Sequence, residues 1–320
     1  MKSCRRTRKL GCAAAVTTGL TILLAGCAPS PDAAPAARSA AAEGFEHIHG
    51  LGADAAAGKT FVATHQGVWL IPTDALPASY PARSSAADIS EPTQVAGRVL
   101  DVMGFTVAAP GLLLASGHPD PEAPSDLAAP NLGLISSADA AETWTPLSLA
   151  GKTDFHDLDA VPLSGSALRV YGYDSGNGTL AISDDSGATW STGETVPMRD
   201  LAADPANPDQ VFATTADGLV GSGDAGRSFS LVADAPTLFL IDVGDARTGG
   251  GLVGIDPEGV VWHQDSAAGP WIRGGRTEGA PVALSYVGGI APWILAADTR
   301  GVVASDDFGA SWTELVPAGA

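Results

Sequence analysis

Short apolar runs, each closed by a turn residue, recur along most of this chain. The clearest unit lies between Met198 and Phe229. Met198-Arg199-Asp200-Leu201-Ala202-Ala203 leads to Asp204-Pro205, Val211-Phe212-Ala213-Thr214-Thr215 follows, and Asp217-Gly218 turns into Leu219-Val220-Gly221-Ser222. A Ser/Asp/Gly-rich corner then opens a fourth run. Short runs punctuated by Gly, Asp and Pro predict strands rather than helices, here four in succession, a to d. The same order restarts at His47, Leu100, Phe155, Phe239 and Leu284. Six four-stranded units are therefore expected, at about 45–98, 99–150, 151–194, 195–233, 234–276 and 277–317. In the first, strand c (Gly67–Ile71) runs into an irregular stretch from Pro72 to Pro92.

The corner is an octet. It reads Ser183-Asp184-Asp185-Ser186-Gly187-Ala188-Thr189-Trp190 in unit three and Ser305-Asp306-Asp307-Phe308-Gly309-Ala310-Ser311-Trp312 in unit six. Unit four carries Ser222 to Phe229, unit two a degenerate copy, Ser137 to Trp144 with Ala141 for the glycine, and unit five an eroded one from His263 to Trp271. The closing aromatics are 46, 39, 42 and 41 residues apart, the period of a four-stranded propeller blade. Ser and Asp side chains bond nearby backbone N–H groups in such corners, and Gly supplies a positive φ. The octets are thus structural. They resemble the Asp box of the sialidase-like, or BNR, repeat families, and the resemblance covers nearly the whole chain after its leader. The fold expected is all-β, a six-bladed β-propeller. Because the first visible strand is a strand a and the last a strand d, closure of the ring is expected to rest on packing between blades one and six.

Lys2, Arg5, Arg6, Arg8 and Lys9 precede an apolar stretch, Leu10–Ala25, that ends in Leu24-Ala25-Gly26-Cys27. This order predicts a lipoprotein signal peptide, residues 1–26, with Cys27 resembling the lipidated cysteine of a lipobox. Residues 27–44 read as an Ala/Pro/Ser-rich, lipid-anchored tether, and 45–320 as the propeller. The expected location is the cell membrane, on its extracytoplasmic side. Cys4 and Cys12 leave with the leader, so no disulfide or cysteine metal site is expected. Loss of five positive charges takes the formal charge from −19 to −24, which argues against a nucleic-acid partner. A monomer is expected.

Topology places the octets on one face of the propeller. The strand-a starts and the b–c turns fall on the other, where propeller sites usually lie. Five of the six histidines map there: His47 and His49 before strand a of blade one, His65 after its strand b, His118 at the equivalent place in blade two, and His156 opening strand a of blade three. His47 and His49, two apart, would point the same way on a strand. Histidine clusters suit Zn or Cu, with Asp157 or Glu46 as an added oxygen ligand. His263, on the octet face, is expected to be solvated. Asp101, Asp157, Asp200 and Asp242 share one strand-a position. They read either as a ring of acids in the channel or, preferably, as a repeated side-chain-to-backbone link between blades. The insertion Pro119–Asn131 follows His118, as a lid or a tolerated loop.

The segments His47-Ile48-His49-Gly50-Leu51, Ala63-Thr64-His65-Gln66-Gly67, Ser116-Gly117-His118-Pro119 and Asp154-Phe155-His156-Asp157-Leu158 resemble a family of actinobacterial and firmicute lipoproteins labelled glycosylhydrolase or exo-α-sialidase. That resemblance implies an enzyme acting on extracellular glycans. Sialidases, however, use three arginines, a tyrosine with a glutamate partner, and an aspartic acid. Here only Arg199 opens a strand a, and the Arg-Ile-Pro motif is missing. The catalytic candidates are Asp157, His156 and Tyr286, with Glu278 as a guessed partner of the tyrosine; Arg199 and Asp157 are ligand-binding candidates. Expectation thus favours a non-catalytic propeller that binds a glycan, small molecule, protein or metal through its histidine face, with a glycoside hydrolase or an assembly scaffold as alternatives.

Overall fold

The computed structural model describes residues 45, 47–54, 57–71, 73, 91–122, 125–244, 251–266, 269–287 and 293–318. The expected leader and the whole tether, Cys27 included, lie outside them, as does Glu46. The described chain forms six antiparallel four-stranded sheets, each a simple meander. Blade one contains β1 (Ile48–Asp54), β2 (Lys59–Thr64), β3 (Gly67–Leu70) and β4 (Thr93–Gln94); blade two contains β5 (Leu100–Ala109), β6 (Leu112–Pro119), β7 (Leu134–Ser137) and β8 (Thr145–Ser148). Blade three contains β9 (Phe155–Pro162), β10 (Leu168–Asp174), β11 (Thr179–Ser183) and β12 (Ser191–Thr195); blade four contains β13 (Met198–Asp204), β14 (Asn207–Thr215), β15 (Gly218–Ser222) and β16 (Ser230–Leu231). Blade five contains β17 (Leu240–Val243), β18 (Leu252–Ile255), β19 (Val260–His263) and β20 (Ile272–Arg276); blade six contains β21 (Ala283–Val287), β22 (Trp293–Asp298), β23 (Gly301–Ser305) and β24 (Thr313–Pro317). The inner strands β1, β5, β9, β13, β17 and β21 pack side by side in that order, and β21 returns to β1. This is the six-bladed β-propeller expected from the repeat.

Blades are joined by apolar sandwiches. The closing one sets Leu51, Val62 and Trp69 of blade one against Leu295, Val302 and Val316 of blade six. Blade one draws all four of its strands from residues 48–94, so side-chain packing rather than strand exchange joins the ends among the described residues.

The octets form one hydrogen-bonded corner repeated in four blades. In blade three Ser183 Oγ donates to Asp185 Oδ1 at 2.8 Å and accepts the Gly187 N–H at 2.8 Å. Asp185 then accepts the Thr189 N–H at 2.7 Å and hydroxyl at 2.6 Å. Blades two, four and six repeat this set from Ser137, Ser222 and Ser305. Gly187 has φ +88°, and a Cβ there would meet Leu134 Cδ2 of the preceding blade at 2.2 Å. The glycine therefore serves blade-to-blade contact as well as the turn. Trp190 extends the same contact, its ring against Phe155 and its Nε1–H donating to Ser148 Oγ at 2.8 Å.

A second set of links runs near the axis. Asp157 Oδ2 accepts the Leu201 N–H, Asp200 Oδ2 the Ile241 N–H and Asp242 Oδ2 the Tyr286 N–H, at 2.7, 2.7 and 2.6 Å. Asp159 does the same for Ala203 at 2.7 Å. Each carboxylate holds the inner strand of the next blade, so the side-chain-to-backbone reading holds for three members of the predicted row. Asp101 departs from it. One expectation needs correction: His263 is not solvated. It is buried and stacked flat on Phe308, with centroids 3.6 Å apart. Blade five has lost the octet's serine there, and an aromatic stack fills the corner.

Candidate functional site

The histidine face is built from turns whose backbone leaves little freedom. Thr64 pairs with Gly67 across the β2–β3 hairpin. Thr64 Oγ1 donates to the Gly67 carbonyl and accepts the Gln66 N–H, both at 3.0 Å. Gly67 has φ +102°, and a Cβ on it would lie 2.3 Å from the Arg98 carbonyl oxygen of the following segment. This tight tip holds His65 against blade two, where Asp101 opens β5. His65 Nδ1 and Asp101 Oδ1 are 2.6 Å apart. The opposite nitrogen, His65 Nε2, lies 3.1 Å from His49 Nε2. One ligand atom each from His49, His65 and Asp101 falls within 4.8 Å of the others. Asp101 is thus the member of the acid row whose carboxylate turns to a histidine.

His47 joins this group differently from the strand-based expectation. It precedes β1, with φ +49°, so simple alternation with His49 does not apply. Its ring still packs edge-on to His65, with centroids 4.9 Å apart, as His49 does at 4.6 Å. Burial, and then the neighbouring His65, push the His49 pKa down to about 4, so its ring is neutral over the physiological range.

The other two histidines converge on a residue that the sequence reading used only as part of a motif. Asp154 Oδ2 lies 2.8 Å from His156 Nε2 and 3.1 Å from His118 Nε2. His118 stands at the end of β6, directly opposite Asp101 in the sheet register. Its Nδ1 donates to the Pro130 carbonyl oxygen at 2.9 Å. The insertion after His118 therefore reaches back to orient that ring, while its Leu127 is buried in the core of blade two. Asp154 is tied to blade two by the next residue, whose Phe155 N–H donates to Ser116 Oγ at 2.9 Å. Hydrogen bonding to Asp154 raises the His156 pKa.

Below the histidines the funnel encloses a cavity of about 660 Å³ lined by His47, His49, His156, Asp157, Arg199 and Asp200, among others. Arg199 lies over the Phe239 ring, 3.6 Å from its centroid. Burial, and then Asp200, raise the Asp157 pKa well above the usual carboxylate range; burial raises Asp200 to about 6. The two carboxyl groups lie close enough for the charge of Asp200 to add to the rise of Asp157. His156 pairs with Asp154, not with the adjacent Asp157, because successive strand residues face opposite ways. Tyr286 packs on the apolar cluster of Val253, Ile255 and Ile294 between blades five and six, away from the funnel lining. Arg300, in a b–c turn, is held by Asp298 at 2.5 Å.

Asp154 and Asp101 were the residues hardest to find from sequence. The signal for Asp154 was its place two residues before His156. The signal for Asp101 was only its membership of a row whose other members hold backbone.

No protein-family model matches this chain, and no curated protein matches it. Solved structures do. An ancestral GH74 enzyme is 12% identical, with TM-score 0.51 over 85% of this chain and 38% of its own. The GH74 xyloglucanase from Xanthomonas campestris is 18% identical, with TM-score 0.51 over 86% of this chain and 46% of its own. A gluconolactonase from Xanthomonas campestris is 13% identical, with TM-score 0.55 over 82% and 86%. The chain spans less than half the length of the GH74 enzymes. At these identities the likeness establishes a propeller fold shared with enzymes, and no chemistry.

Proposed function

We propose that this chain is a lipid-anchored, extracytoplasmic Asp-box propeller that binds a divalent transition-metal ion, Zn or Cu, between His49 and His65. The observation that carries this reading is the pair of Nε2 atoms 3.1 Å apart, with Asp101 bonded to the far nitrogen of His65. Two imidazoles on one tetrahedral ion, each at about 2.0–2.1 Å, sit about 3.3 Å apart. A carboxylate behind a ligand histidine fixes its tautomer and orientation, and the Nδ1–H donated to Asp101 turns the His65 Nε2 lone pair toward His49. The metal needs neutral imidazole, and His49 supplies it without a protonation cost at neutral pH. His47, exposed beside them, supplies a third nitrogen by side-chain rotation. Asp101 is then a positioning residue.

A glycoside hydrolase gains less support. It needs two carboxyl groups free to act on the glycosidic bond, whereas Asp157 and Asp200 each accept a backbone N–H of the next blade. The experiment is titration of the purified protein with Zn2+ and Cu2+. His49→Ala and His65→Ala are each expected to weaken the tightest binding step at least tenfold; unchanged affinity in both variants sinks the reading.

A further inference from the structure

The inner strands of three blades carry the same irregularity. In blade one Ile48 pairs with Thr64 and Gly50 with Ala63, so His49 is an extra residue between them. In blade three Phe155 pairs with Asp174 and Asp157 with Tyr173, which leaves His156 extra. In blade four Met198 pairs with Thr215 and Asp200 with Thr214, which leaves Arg199 extra. Among the described residues β17 and β21 pair without a shift, and the shifts of β5 come only after Val102. A bulge frees one residue from the ladder and re-aims its side chain. All three freed residues, two histidines and an arginine, line the funnel cavity of about 660 Å³, a volume within the roughly 300–1,000 Å³ of small-molecule sites. Arg199 also differs from the arginines elsewhere in the chain. Arg98, Arg169 and Arg300 are held by carboxylates, and Arg227 and Arg276 by backbone carbonyl groups. Arg199 has no hydrogen bond and no ion pair among the described residues. Its guanidinium lies over the Phe239 ring, 3.6 Å from the centroid, a contact that restrains it while leaving its five N–H donors unused by the protein. The acids lining the cavity are engaged elsewhere: Asp157 and Asp200 accept N–H groups of the next blade, and Asp298 holds Arg300.

We propose that the funnel binds a small organic acid, its carboxylate held by Arg199 and His156 and its carbon skeleton lying against Leu240 and Val282. Blades three and four are neighbours, so His156 and Arg199 occupy equivalent places on adjacent inner strands. His156 bonds Asp154 through Nε2, and its Nδ1 has no partner among the described residues. A guanidinium matches a carboxylate with two parallel N–H bonds, and the imidazole beside it adds a third donor. Leu240 and Val282 belong to the same lining, and Val282 is 47% exposed, one of four large apolar side chains left open among the described residues. An inorganic anion gains nothing from that surface, whereas a carbon skeleton does. His49, in blade one, stands across the axis from Arg199 and closes the far side. The formal charge of −19 repels anions in general, so binding rests on these side chains and not on the field of the whole molecule. The site needs no ion at His49 and His65, and it stands or falls separately from the metal reading.

The test is calorimetric titration of the full-length, chelator-treated and dialysed protein with sodium succinate, sodium citrate and inorganic phosphate at fixed ionic strength, with circular dichroism to check folding. Wild type is expected to bind one equivalent of at least one of the two organic acids, and phosphate more weakly. Arg199→Gln should weaken organic-acid binding at least about tenfold, as loss of hydrogen bonds to a charged group does. Arg199→Lys, which keeps the charge and loses the fork, should weaken it as well, and so should His156→Gln. Arg199 is exposed, so its substitution tests the site without burdening the core. Arg273→Gln, at an exposed arginine on the outer strand β20 of blade five, should change nothing. Unchanged affinity in Arg199→Gln overturns the site. Equal losses in Arg199→Gln and Arg273→Gln mean diffuse charge attraction and also overturn it. Phosphate bound as tightly as the organic acids overturns the assignment to an organic acid. No saturable binding of either acid by wild type overturns the proposal and leaves the Zn2+ and Cu2+ titrations to decide the metal reading on their own.

Discussion

At the scale of single residues, a repeat protein exposes function where one copy abandons what the others do. Asp157, Asp200 and Asp242 each accept a backbone N–H from the next blade. Asp101, in the same position, faces His65 instead. The strand around it is irregular too: β5 shifts register between Val102 and Gly104, and Gly117 opposite has φ +144°, with a Cβ there 1.9 Å from the Asp101 carbonyl oxygen. Asp101→Asn should keep the fold, because among the described residues no inter-blade backbone link depends on its carboxylate. It should weaken metal binding about 10- to 100-fold, as loss of a carboxylate behind a ligand histidine does. Calorimetric titration of Zn2+ into wild type and variant measures this, and equal affinities would remove Asp101 from the site.

At the scale of the element, the octet corner has a hierarchy that its regular hydrogen bonds conceal. The Asp185 carboxylate is exposed, and the hydroxyl and N–H of Thr189 hold its pKa down to about 2. Ser183 is fully buried and accepts the Gly187 N–H. Ser183→Ala leaves that buried N–H without its partner and should cost about 1–3 kcal/mol in denaturant unfolding. Gly187→Ala combines a left-handed alanine with a clash against Leu134, which makes it the more damaging change, at about 2–4 kcal/mol. If Gly187→Ala proves the milder of the two in urea titration, the corner is held by its own turn rather than by the neighbouring blade.

At the scale of the molecule, the axis concentrates acids that hold their protons to higher pH than free carboxyl groups do. Burial, and then the charge of Asp159, raise the Asp242 pKa to about 8; burial raises Asp159 to about 6. Both values lie above the ordinary 3.8. Stability from these groups is therefore full below about pH 4 and is lost as pH rises through 6 to 8. The octet aspartates act with the opposite sign. Asp185 and Asp224 are held near 2, so their contribution is full above about pH 4 and is lost as pH falls toward 2. Thermal unfolding in the presence of a chelator should show the highest Tm near pH 4–5 and a decline of several degrees toward pH 8, flattened by Asp242→Asn. A Tm that rises steadily from pH 5 to 8 would contradict the protonated axis. The proposed anchor belongs to this scale as well. Cys27→Ser should move the protein from the membrane fraction to the soluble extracytoplasmic fraction of a bacterial host, read by fractionation and immunoblot. Retention in the membrane would refute lipidation at Cys27.

The repeat itself was legible without coordinates. Strand runs, octet corners and their spacing are local, each written within about forty residues, and a period of that length admits few architectures. Six blades, the face that carries the octets and the face that carries His47, His49, His65, His118 and His156 followed from topology alone. The partners of those histidines did not, because partnership here crosses from one blade to the next. His65 and Asp101 are 36 residues apart and meet only because a tight turn in blade one touches the start of blade two. Asp154 gathers His118 and His156 from two blades, and His263 left solvent only because Phe308 of the next blade lies over it. The sequence by itself determined the blades, since strand and turn signals act over a few bonds; only the ring decided which histidines meet each other and which share a carboxylate, since those contacts act through space between blades.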